Sequence, residues 1–156
     1  MLSTNFTEKL LDLQEVNITN VIHEEDLIKV FIKKPVALHS CPNCKTKTKY
    51  VHSYREQAIK DIPILGKKLL LIYKKRRYRC PKCGKCFYES VSFLPKYHRV
   101  TNRLVSYIIH QLQEVRSFTS VANEVNLSTS TIIRYFDLLD YEKPKYNKKV
   151  SYEQRV

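Results

Sequence analysis

The sequence predicts an α+β chain in which a small antiparallel β-ribbon is followed by a three-helix unit. Three observations predict it. A Cys-Pro-x-Cys motif occurs twice, at Cys41 to Cys44 and Cys80 to Cys83, with 35 residues between. The segment between the motifs reads as paired strands, and beyond Pro95 the apolar residues recur with a helical period. At 156 residues there is room for one ordinary domain or two small modules. With only 2 Gly the chain cannot supply a glycine-rich phosphate-cradling loop, so a nucleotide-binding enzyme is not expected.

In chain order, residues 1–37 form an N-terminal extension: a short helix from about Asn5 to Leu13, then a hairpin with strands near Val16 to Ile22 and Leu27 to Lys33 around the acidic turn Glu24-Glu25-Asp26. No chemistry is assigned to it. Residues 38–95 form the ribbon. Gln57 to Ile62 alternates, Ile64-Leu65-Gly66 turns, and Lys67 to Tyr73 leads through Lys74-Lys75-Arg76-Arg77-Tyr78-Arg79 into Cys80. On that strand Lys74, Arg76 and Tyr78 share one side and Lys75, Arg77 and Arg79 the other, and neither side is expected to be a fully buried core. Residues 96–140 form the helical unit. Thr101 caps a helix with the stripe Leu104, Val105, Ile108, Ile109 and Leu112, ending near Glu114. Ser117 caps a second with Val121, Ala122 and Val125; Asn126 and Leu127 turn; Ser128 caps a third with Ile132, Ile133, Phe136 and Leu139. Residues 141–156 are a basic linker or tail.

The longest apolar run, Leu69-Leu70-Leu71-Ile72-Tyr73, falls far short of the roughly 20 residues that cross a bilayer. Residues 1–6 carry no basic leader before an apolar stretch, so a cytoplasmic location without membrane attachment is expected. In a reducing compartment, paired cysteines point to metal ligation. A two-residue gap lets both thiolates of a tight turn face one ion, and two such turns supply the four sulfurs of a closed tetrahedral site. Structural zinc on Cys41, Cys44, Cys80 and Cys83 is the expectation; an iron site of rubredoxin type and a redox Cys-x-x-Cys pair are the alternatives. Gly84 suits a positive φ as the chain leaves the second turn. Cys86 is expected to be a small, semi-buried side chain, and His39 and His52 to do surface or packing duty, with a spare-ligand role as the alternative.

Charge is concentrated in the same region. Residues 1–40 carry a net −2, residues 41–100 a net +13 and residues 101–156 a net +2. A phosphate backbone attracts such a field through counterion release, so Lys74, Lys75, Arg76, Arg77, Arg79, Lys82 and Lys85 are candidate DNA contacts. A charged edge strand that merely resists aggregation is the alternative. In the helical unit, small Ala122, turn-forming Asn126 and apolar Leu127 fit a helix-turn-helix, with the third helix as the reading element. There Thr129, Ser130 and Arg134 would face the major groove, with Thr131 near the backbone and the capping Ser128 a further candidate DNA contact. Residues 101–140 carry a net −1, so this unit alone binds DNA weakly, and a plain three-helix packing unit stays open.

A ribbon with widely separated Cys-Pro-x-Cys turns, a basic strand running into the second, and a helix-turn-helix resembles the N-terminal half of insertion-sequence transposases of the ISL-three family. Matching stretches are Ile59 to Lys67, Lys74 to Lys85 and Ser128 to Ile132, and the likeness spans about residues 38–140. The resemblance implies a zinc-ribbon domain followed by a helix-turn-helix domain that recognises terminal inverted repeats in double-stranded DNA. It also implies a following RNase H-like domain with three metal-binding acidic residues. This sequence stops at Val156, and Asp137, Asp140 and Glu142 lie too close in sequence for a dispersed two-metal site, so no enzymatic strand transfer is expected of this chain alone. The expected function is transposon-end recognition, with a second copy or a full-length transposase as partner. Other readings are a transcriptional repressor using the same surfaces, a subunit of a split transposase, a metal-dependent nuclease, and an RNA-binding ribbon stacking bases on Tyr50, Tyr54, Tyr73 and Tyr78.

Overall fold

Two long paired strands form the centre of the fold, and the N-terminal hairpin, the last short strand and the first two helices pack against them. The computed structural model describes residues 11, 13, 15–114 and 116–137. Strands β1 (Asn17–His23) and β2 (Leu27–Lys33) form the expected N-terminal hairpin. Short β3 (His39–Ser40) and β4 (Lys47–Thr48) flank the first cysteine turn as a separate two-stranded sheet. Long β5 (Val51–Ile64) and β6 (Lys67–Arg79) pair antiparallel, and β7 (Cys86–Tyr88) follows the second cysteine turn. The helices are α1 (Asn102–Gln113), α2 (Phe118–Val125) and α3 (Thr129–Asp137). The expected helix from Asn5 to Leu13 lies outside the described residues except for Leu11 and Leu13, both buried.

The architecture is α+β, and the sheet is mixed rather than purely antiparallel. Its order is β1-β2-β6-β5, with β2 running parallel to the first half of β6. β7 then pairs antiparallel with Arg77 to Arg79 farther along β6. Hairpin and ribbon thus share one sheet and one core, in which Val16, Ile18, Ile28, Val30 and Ile32 pack with Ile59, Leu69, Leu71 and Tyr73.

The tip of the β5–β6 hairpin is a two-residue turn with Leu65 at φ 53° and Gly66 at φ 72°. Positive φ at both central residues makes the turn's twist match that of the strands. The pairing slips by one residue between Asp61 and Ile64, and again between Val51 and Ser53.

Strand β6 changes its buried face midway. Leu69, Leu71 and Tyr73 are buried on one side, whereas Arg76 and Tyr78 are buried on the other. No pairing slip intervenes on β6 between them, so what changes is the covering layer. The hairpin core covers the first half. The second half is covered by the first cysteine turn, whose His39 ring lies 4.6 Å from Tyr78, and by Phe87 of β7 at 5.9 Å. The expectation that neither side of Lys74 to Arg79 is buried is therefore corrected at Arg76 and Tyr78.

The helices have a second core of Val100, Leu104, Ile108, Val121, Ala122, Val125 and Ile132, against which Ile62 of β5 packs. Thr101 Oγ1 accepts from Leu104 N and Ser117 Oγ from Ser120 N, capping α1 and α2 as their sequences predict. Asn126 sits at φ 53°, ψ 48°, and Leu127 N donates to Ala122 O at 3.0 Å, closing α2 with a left-handed cap. Ser128 Oγ accepts from Thr131 N at the start of α3.

Candidate metal centre and nucleic-acid surface

Two turns of identical design bring the four cysteines together. Lys45 N donates to Cys41 O and Gly84 N to Cys80 O, each at 3.0 Å; Cys41 N donates to Thr46 O and Cys80 N to Lys85 O, each at 2.9 Å. The residue after each Cys-Pro-x-Cys takes positive φ, Lys45 at 59° and Gly84 at 70°. Glycine adopts that conformation without strain; Lys45 adopts it because the surrounding turn over-determines it.

The Sγ atoms of Cys41, Cys44, Cys80 and Cys83 all lie within 4.8 Å of one another. Cys44 to Cys80 is 3.4 Å, Cys44 to Cys83 3.5 Å and Cys41 to Cys83 3.6 Å. Zinc–sulfur bonds of about 2.3 Å in a tetrahedron separate the sulfurs by about 3.8 Å. The cluster is slightly tighter than that and has the donor set and shape a zinc ion requires. The thiols already share charge: the Thr46 hydroxyl and backbone hold Cys44 down to about 6, and the Lys85 backbone lowers Cys83. Cys80 is pushed up to about 11; the Cys83 backbone favours its thiolate, but burial and the hydrogen bonds with Cys44 and Cys83 outweigh it. A metal replaces these shared protons with a fixed positive charge. Exposed Lys45, Lys82 and Lys85 surround the site and offset the excess charge of four thiolates. Cys86 is half-buried on β7 and outside the cluster, as are His39 and His52.

The cationic strand divides between two faces. Lys74 is exposed opposite Glu56, its Nζ 5.1 Å from the Tyr54 ring. On the other face lie half-buried Lys75 and Arg77 and exposed Arg79. Arg76 is not at the surface. Its backbone N donates to Glu89 Oε1 at 2.9 Å, and its Nη1 reaches Glu89 Oε2 at 3.5 Å and Pro35 O at 3.1 Å. Glu89 is fully buried, so this pair closes the seam where the buried face of β6 changes sides.

In the helical unit, Arg103 and Arg116 are engaged by carboxylates, and among the described residues Arg134 is not. Arg116 pairs with Glu124 at 2.6 Å, and Tyr107 donates to the same carboxylate. Arg103 Nε lies 2.8 and 3.0 Å from the two Asp61 oxygens, and its Nη2 and Nη1 bond Asp61 and Leu11 O. Arg134 is exposed on α3 with no carboxylate partner among the described residues. Ser128 and Ser130 are exposed and Thr129 and Thr131 half-buried; the Ser128 hydroxyl lies 3.1 Å from Ser130 Oγ and 2.8 Å from Thr131 Oγ1. Asp140 and Glu142 lie outside the described residues.

Asp61 is the residue that sequence reasoning missed. Fully buried on β5, it accepts from Thr101 Oγ1 at 2.7 Å, Ile62 N at 2.9 Å and Arg103, joining the ribbon to the cap of α1. Beside it Thr101 N donates to Lys60 O, Lys60 N donates to Arg99 O, and Lys60 Nζ bonds Asn126 O. An isolated Asp in an alternating strand was the available signal, and it does not reveal the partner 42 residues away. No helix among the described residues is long and apolar enough to cross a membrane.

Comparison with known proteins agrees with this geometry. Residues 37–83 match the zinc-finger of transposase IS204/IS1001/IS1096/IS1165, and residues 89–139 match the helix-turn-helix domain of transposase family ISL3. A transposase for insertion sequence element IS1001 from Bordetella parapertussis is 27% identical over 135 residues, 85% of this chain. The chain spans about a third (33%) of that curated relative's length. No solved structure matches it. With the four-sulfur geometry, the family match makes the cysteine cluster a structural zinc site.

Proposed function

Because this chain belongs to the ISL3 transposase family through its zinc-ribbon and helix-turn-helix domains, we propose that it binds duplex DNA at the terminal inverted repeats of a transposable element. Zinc, when bound, supplies no chemistry beyond holding four thiolates, and so orients β6 and β7. The cations of the ribbon hold phosphates, which gives affinity without sequence choice. Thr129, Ser130 and Arg134 on α3 read base edges, and Ser128 and Thr131 lie toward the backbone.

The observation that carries this reading is the state of the arginines. Carboxylates occupy Arg103 and Arg116, whereas Arg134 stands exposed on the third helix with no carboxylate partner among the described residues. A helical unit of near-zero net charge gains its affinity from the ribbon bonded to it through Asp61 and Lys60.

The test is a salt series of binding to duplexes carrying the element's terminal repeat or a scrambled version. We expect the repeat to win by about a thousandfold, the range of specific recognition. Arg134→Ala should cost about 1–3 kcal/mol on the repeat and leave scrambled binding nearly unchanged. Equal affinity for both duplexes would remove the reading role of α3.

A further inference from the structure

The register of the ribbon collects an unbalanced charge on one face of its outer half. Directly opposite residues in a sheet share a face. Arg55 stands opposite Lys75, Ser53 opposite Arg77, and Arg77 opposite Tyr88. Alternation adds Arg79, so Arg55, Lys75, Arg77 and Arg79 share one face with Tyr88. Lys75 Nζ is 5.6 Å and the Arg77 guanidinium 5.9 Å from the Tyr88 ring, which is 44% exposed.

Among the described residues no carboxylate forms an ion pair on this face, and none of the four cations has an ion-pair partner. Glu56 lies on the opposite face against Lys74, and buried Glu89 is engaged by Arg76. Like charges directly opposite destabilise a sheet, so Arg55 against Lys75 works against folding unless an anion is bound. Burial lowers the Lys75 pKa; buried Glu89 and then Tyr88 oppose it, and Arg55 adds the smallest effect, in the direction of burial. The hydrophobic core ends at Tyr73 on this same face, so the cations begin where the apolar cover stops.

We propose that the face formed by Arg55, Lys75, Arg77, Arg79 and Tyr88 is the site that holds the phosphodiester backbone of duplex DNA, and that the Lys74 face is not. The inference rests on the DNA-binding reading and adds to it Arg55 and Tyr88, on β5 and β7. Successive cations on β6 are spaced by about 6.6 Å, so the face follows a backbone rather than enclosing one anion. The Tyr88 ring holds the Lys75 and Arg77 heads in place.

The experiment measures affinity against salt for a mixed-sequence duplex longer than one helical turn, with the zinc-loaded chain and its R55A, K75A, K74A and K68A variants. Removing one cation that neutralises a phosphate lowers the slope of log K against log salt by about 0.9. R55A and K75A should each lower it by about that amount, and K68A, in the covered half of the strand, should not. R55A should also raise the melting temperature at low salt by relieving the like-charge pair, where a merely structural arginine would lower it. A slope that follows K74A and ignores R55A and K75A overturns the assignment in favour of the opposite face. A wild-type chain that fails to bind duplex DNA defeats the underlying reading, and this proposal with it.

Discussion

Replacing Asp61 with alanine tests whether ribbon and helices act as one body. Its side chain is fully buried and accepts from Thr101 Oγ1, Ile62 N and Arg103. In D61A the Thr101 hydroxyl, on a residue with no exposure, loses an acceptor that carries charge, at a cost of about 1.5–3 kcal/mol. Breaking a buried ion pair by removing one partner costs about 3–5 kcal/mol. Arg103 is 30% exposed and keeps its bond to Leu11 O, so the lower end of that range applies. We expect about 3 kcal/mol in all, a large part of the 5–15 kcal/mol typical of a domain. For a chain of this size that lowers Tm by about 6–12 °C. Chemical denaturation gives the energy, and hydrogen exchange locates it: amides of α1 should lose protection before those of β5 and β6. In a double-mutant cycle with R103A the coupling should exceed about 1 kcal/mol. A loss below about 1 kcal/mol, or coupling near zero, would show that Asp61 does not join the two units.

Other consequences are as direct. Cys80→Ser should abolish stoichiometric zinc, measured by native mass spectrometry, and unfold the outer half of the ribbon, because zinc contributes on the order of 10 kcal/mol; Cys86→Ser should keep its zinc. Glu124 has its pKa lowered by the Tyr107 hydroxyl and by Arg116. Its stabilising contribution is therefore present above the unfolded carboxylate value of about 4.3 and lost as pH falls through the folded one. Acid titration of E124Q monitored by circular dichroism should lack that part of the wild-type loss, and identical acid limbs would refute it. Leu65 occupies φ 53° with its side chain 87% exposed, so Leu65→Asn should stabilise by about 0.5–1 kcal/mol in a denaturant melt.

Much of the site was legible because its signals are local. Cys41, Cys44, Cys80 and Cys83 declare themselves by a two-residue gap used twice, and the helices by caps at Thr101, Ser117 and Ser128. Asn126 was identifiable as a left-handed turn residue because few side chains tolerate that conformation. Arg76 was not legible. Nothing within six basic and aromatic residues distinguishes it from Arg77, and its burial depends on Glu89, 13 residues away.

The face of the ribbon that carries charge was beyond sequence for a sharper reason. A two-residue turn at Leu65 and Gly66 with no irregularity would set Arg55 opposite Arg76. The slip between Asp61 and Ile64 moves it to Lys75 instead. Because side chains alternate with a period of two, one residue of slip exchanges the faces of the whole outer ribbon. The sequence by itself determined the metal ligands, the helix boundaries and the concentration of positive charge, all properties of neighbouring residues. Only the tertiary structure decided which cations face solvent, that β2 lies parallel to β6, and that Asp61 ties ribbon to helices. Each depends on contacts between residues distant in sequence, whose energies no local pattern encodes.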